Sequence, residues 1–149
     1  MLTEYRIAIP GLELLSKAND VRSLPFRGEG KVADGGVVAI NADGVTCSKV
    51  AAESKDFGVV VFHHVGKSGR TDDSKAEAYV DGDVAPVMTM GRIWVKPNEV
   101  ITARGKAAKV YVNTTDGTLG QTAEGGTEFI GAYWDTPNNS DGLAIVNLG

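Results

Sequence analysis

The sequence predicts an all-β chain, a β-sandwich or jelly-roll-like barrel with an extended N-terminal arm, and three observations carry that expectation. Five Asp-Gly pairs, at Asp34-Gly35, Asp43-Gly44, Asp81-Gly82, Asp116-Gly117 and Asp141-Gly142, punctuate the chain, and this dipeptide suits tight turns because aspartate tolerates and glycine readily adopts a positive φ. Between them lie short runs rich in β-branched and aromatic residues. Glycine is also abundant, 19 in 149 residues, against an average usage of about 7%.

The expected strands are 37–40, 57–63, 78–80, 87–95, 109–112, 128–134 and 143–148. Ile93 and Val95 alternate with Trp94 and Lys96, and Val110 and Val112 with Lys109 and Tyr111, the period-two pattern of a sheet with one covered face. The run Val59, Val60, Val61, Phe62 is apolar on both faces and is expected to be the most buried strand. No apolar stripe with helical spacing follows residue 30, so helices there reduce to short connectors.

Residues 1–30 read differently and are assigned to the arm, with 31–149 as the body. Tyr5, Ile7 and Ile9 alternate with Glu4, Arg6 and Ala8; Pro10-Gly11 then breaks the pattern, and Leu12, Leu14 and Leu15 suggest a brief helical turn. Thirty extended residues reach roughly 100 Å. Ordering them costs on the order of 1–2 kcal/mol per residue, which the nine or so large apolar side chains offset at best, at about 1.5–3 kcal/mol each. The arm is therefore expected to be loose alone and ordered by a partner. The alternative is an edge strand packed on its own barrel.

With 42% hydrophobic and 23% charged residues the composition is globular, and no run approaches the roughly 18 apolar residues of a membrane helix. Glu4, Arg6, Pro10 and Glu13 interrupt any secretory leader pattern. The formal charge is −4, so nucleic acid is not an expected partner. Residues 91–110 nevertheless hold five basic side chains and one acidic. Arg92, Lys96, Arg104, Lys106 and Lys109 form either a positive patch that steers the chain onto an acidic partner or dispersed solvated charges.

Reactive motifs fail on inspection. Gly66-Lys67-Ser68 lacks the upstream glycine of a phosphate loop, since Val61 occupies that place, and Gly69 denies a following helix. Gly28, Gly30 and Ala33 match a dinucleotide fingerprint in spacing alone. His63 and His64 point to opposite faces of a strand and do not share a metal. Cys47, the single cysteine, is expected to be a buried or half-buried thiol, with activation by Lys49 as the alternative. No catalytic set, metal cage or cofactor site is expected. Trp94, Tyr133 and Trp134 offer a second reading, an aromatic platform for carbohydrate.

From residue 28 onward the chain resembles the structural cement and decoration proteins of tailed-bacteriophage heads. The likeness is carried by Gly28-Glu29-Gly30, by Tyr79 and Gly82, by Val84-Ala85-Pro86-Val87-Met88-Thr89-Met90-Gly91-Arg92-Ile93-Trp94-Val95, by Ala108-Lys109-Val110-Tyr111-Val112, and by Ile130-Gly131-Ala132-Tyr133-Trp134-Asp135-Thr136 leading to the apolar strand that ends the sequence. The resemblance implies a non-enzymatic virion protein, made in the host cytoplasm, that binds the outer capsid as a dimer or trimer. There it bridges neighbouring major capsid protein subunits. Tyr5, Ile7, Ile9, Leu12, Leu15 and Phe26 of the arm, with Arg92, Trp94, Lys96 and Arg104, are the expected contact residues.

Overall fold

A computed structural model describes residues 9–14, 19–63, 65–70 and 76–149. Every regular element among them is a strand. Five form one antiparallel sheet in the order β1 (Asp20–Pro25), β7 (Val84–Met90), β4 (Phe57–Val60), β2 (Val37–Ile40) and β3 (Cys47–Lys49). Five form the second, in the order β10 (Thr118–Gly120), β9 (Lys109–Asn113), β11 (Thr127–Trp134), β12 (Ala144–Asn147) and β8 (Arg92–Val95). The hairpin of β5 (Gly69–Arg70) and β6 (Glu77–Ala78) stands apart. The all-β expectation is met, and the glycines of all five Asp-Gly pairs have positive φ, between 72° and 93°.

The main core lies between the sheets. Phe57 and Val59 of β4, Ile93 and Val95 of β8, Val110 and Val112 of β9, and Trp134 of β11 meet there, with the Phe57 and Phe129 rings 5.6 Å apart and tilted. A second core covers the other face of the first sheet, where Leu24, Phe26, Val38, Cys47, Val60, Tyr79 and Val87 pack together. Residues 57–60 are therefore buried on both faces, as their uninterrupted apolar character requires.

Three features depart from the sequence reading. First, residues 20–26 belong to the body. Asp20–Pro25 pairs antiparallel with Val84–Met90, and Phe26, expected to contact a partner, is 0% exposed in the second core. An arm ending at residue 30 thus extends too far; the edge-strand alternative holds for β1. Second, residues 11–14 form no helical turn. They run extended along β8: Gly11 N–H donates to Trp94 O at 2.8 Å, Trp94 N–H to Leu12 O at 3.0 Å, and Leu14 N–H to Arg92 O at 3.0 Å. Third, the stretch 87–95 is two strands in different sheets. Gly91 divides them with a φ of 122°, a conformation side-chain-bearing residues avoid, and a Cβ there would strike the Asn19 side chain.

The strap formed by residues 9–14 also ties the two sheets together. Gly11 O accepts from Phe62 N–H at 2.7 Å beyond the end of β4, while Gly11 N–H reaches β8. A Cβ on Gly11 would meet Gly35 N at 2.7 Å and Val60 O at 2.8 Å, backbone atoms that cannot rotate aside.

Candidate functional site

The strap, β8 and the loop before β9 build one contiguous surface. Arg92 ends β12's ladder opposite Asn147, and its Nε donates to Asp135 Oδ2 at 2.5 Å. Arg104 Nε donates to the Asp135 carbonyl at 3.3 Å. One aspartate thereby anchors two of the five predicted cations, and Lys109 lies 3.6 Å from Glu128. The expected positive patch is consequently divided into local pairs, with Lys96 and Lys106 left as exposed charges. Lys96 borders a groove of about 400 Å³ at the mouth between the sheets, shared with Lys31, Lys49, Asp34 and Asp116.

Leu12 and Trp94 are half-buried and joined through their backbones. Ile9 lines a hollow in which Pro10, Ala33 and Phe62 stand beside the charged Asp34, Lys67 and Glu77. Ile9, Leu12, Trp94, Arg92, Lys96 and Arg104 thus belong to the strap, to β8 and its end, and to the loop that reaches Asp135. Tyr5, Ile7 and Leu15 lie outside the described residues, as does His64.

The three-ring carbohydrate platform does not form. Trp134 is 0% exposed in the main core, its Nε1–H donating to Gly120 O at 3.2 Å. Its neighbour Tyr133 points to the opposite face, where Asn147 Nδ2 donates to its hydroxyl at 2.9 Å. Period-two alternation alone separates the two rings.

The phosphate-loop residues are used structurally. The Lys67 side chain is only 4% exposed; its Nζ lies 3.0 Å from Asp34 Oδ2 and bonds the His63 carbonyl. Asp83 accepts from Ser68 N–H and hydroxyl and from Val80 N–H, and the Ser68 hydroxyl above all holds its carboxyl below the usual range.

Cys47 is fully buried, and burial pushes its thiol up to about 11; activation by Lys49 is not what the fold provides. Tyr79, buried beside Asp34 and Asp83, is pushed up to about 12, chiefly by burial. Both groups bind their protons more tightly folded than unfolded. Their contribution to stability is therefore whole below pH 9, and it is lost as pH rises through about 11 for Cys47 and about 12 for Tyr79. The slope is at most about 1.4 kcal/mol per pH unit for each group. Urea midpoints should fall between pH 8.5 and 10.5, with a shallower fall in Cys47→Ala. Equal midpoints would contradict this.

Residues 3–149 match the family model described as structural cement protein (E217 gp24/Pam3 gp6). The chain belongs to this family of phage cement proteins. A solved chain from the capsid of Myoviridae phage XM1 has the same fold, with a TM-score of 0.72 at 15% identity over 95% of this chain and 89% of that one. No curated protein matches.

The cement protein also presents apolar side chains that sequence reasoning passed over. Ile130, 78% exposed, stands at an irregularity in β11 between Glu128 and Tyr133. Phe129 and Ala132 both face inward although three residues apart, so an extra residue intervenes, and the glycine between them was the visible signal. Gly131, with φ of 88°, supplies the bend that absorbs it. Val100 and Val45, each more than 60% exposed, lie in loops and carry no periodic signal at all.

Proposed function

We propose that this cement protein binds the outer surface of the assembled phage head and bridges adjacent major capsid protein subunits. It works in the virion after synthesis in the host cytoplasm. The observation that carries this reading is the family match across nearly the whole chain. The fold supports it: a turn-rich sandwich, buried on both sides of one sheet, is a stiff body that needs no reactive group to act. Ile9, Leu12, Trp94 and Lys96 are its contact residues, together with Tyr5, Ile7 and Leu15. Arg92 and Arg104, both held by Asp135, belong to the same contact surface. Phe26 is withdrawn from the contact set because it is core.

A protein that binds only the assembled lattice stabilises it by mass action, about 2.7 kcal/mol per site at 100 times the dissociation constant. Purified protein should therefore sediment with assembled heads and not with unassembled capsid subunits, and deletion of residues 2–8 should weaken this binding. Equal affinity for free subunits and heads would overturn the lattice-cementing reading.

A further inference from the structure

We propose that the outer edge of β1 is a self-pairing surface, at which two copies of this chain join antiparallel about a two-fold axis at Val21 and continue the first sheet from one copy into the other.

The other three edges of the two five-stranded sheets are already occupied. Residues 11–14 cover β8, Asn98 N–H donates to Leu119 O on β10 at 2.8 Å, and Phe26 and Arg27 bridge to Cys47 on β3. β1 differs: Val21, Arg22 and Ser23 are exposed, and its outer edge meets no backbone partner among the described residues. Such an edge is a template for strand addition.

Hydrogen-bond parity and side-chain charge together decide the register. Ser23 stands opposite Pro86, which has no N–H and turns its carbonyl to Val61 N–H at 2.8 Å. Ser23 and, by period two, Val21 therefore direct their own N–H and C=O groups outward. The outward groups bond whether the two-fold axis passes through Val21, Arg22 or Ser23, and the side chains choose among these three registers. Centring on Val21 places Val21 against its own copy, and Ser23 against Asn19 of the partner subunit. Arg22 then stands opposite Asp20 of the partner subunit in a non-hydrogen-bonded pair, where side chains lie closest. Centring on Arg22 instead would bond Val21 to Ser23 of the partner subunit but set two like charges face to face at Arg22, and centring on Ser23 would set Val21 against Pro25 of the partner subunit, which has no N–H.

The charges are exposed and self-complementary. Asp20 and Arg22 already lie 3.2 Å apart within one chain, with side chains 44% and 52% exposed; pairing makes an alternating four-charge cluster. Pro25, lacking an N–H, ends the ladder. One short strand buries less than the roughly 800 Å² per partner of a standard interface, so the dimer is weak in solution.

Sedimentation equilibrium tests the inference without any viral particle. Wild-type protein should show concentration-dependent dimerisation, and Asp20→Arg and Arg22→Asp should each weaken it at least tenfold. An equimolar mixture of the two variants should restore it, because every facing pair is then of opposite sign. Restoration on mixing is a result that loss of folding cannot give. A mixture that stays monomeric, or single variants that dimerise like wild type, would overturn the proposal. So would a wild-type protein that is monomeric while the same substitutions abolish head binding, since the edge would then serve a capsid strand.

Discussion

Deletion of residues 2–27 is expected to abolish the folded state, whereas deletion of residues 2–8 removes none of the contacts described and leaves the urea transition cooperative. The longer deletion takes away β1, so that β7 loses its ladder from Val84 to Met90. It also takes away Leu24 and Phe26 from the second core and the strap from β8. Phe26→Ala alone should cost about 3–5 kcal/mol, the usual range for emptying an aromatic site in a core. Against a total stability of about 5–15 kcal/mol, the whole segment is indispensable. Far-ultraviolet dichroism and urea titration of the two deletions check this; a cooperative transition in the longer one would show that residues 20–26 are dispensable after all.

Trp134→Ala should be the most damaging single substitution in the main core, at about 3–5 kcal/mol. The ring is fully buried, its N–H is bonded to Gly120 O, and its backbone bonds Gly105 and Ala108. Trp94→Ala, on the half-buried outer face of β8, should cost only about 1 kcal/mol while weakening head binding. Equilibrium denaturation of both variants beside a head-sedimentation assay separates the roles: Trp134 moves stability, Trp94 moves binding. The reverse pattern would contradict the assignment of Trp134 to core and Trp94 to surface.

The local chemistry of the fold was legible because it depends on residues near one another in sequence. Each Asp-Gly pair marks a real positive-φ turn, and the double-sided apolar run in β4 lies at the centre of its sheet. The failures come from distant partners. β1 reads Asp-Val-Arg-Ser-Leu-Pro, a poor strand by composition, and it is extended because residues 84–90 offer a ladder to it. Its polar side chains are what an edge strand exposes, so they argue for an arm and an edge equally. The single long strand expected over 87–95 missed the turn at Gly91, although glycine was the visible signal. In the candidate site, the alternation around Trp94 was readable. The neutralisation of Arg92 by Asp135 was not, since the two are 43 residues apart and meet only once β12 pairs with both β8 and β11. Likewise nothing in the neighbourhood of Lys67 announces that Asp34 will hold it inside.

The most direct test of the cementing role is an electron cryo-microscopy map of heads saturated with the protein. The account predicts its density on the outer surface, each copy touching at least two adjacent major capsid protein subunits, with the strap and β8 turned toward the shell. Density inside the shell, or copies each resting on a single subunit, would contradict it.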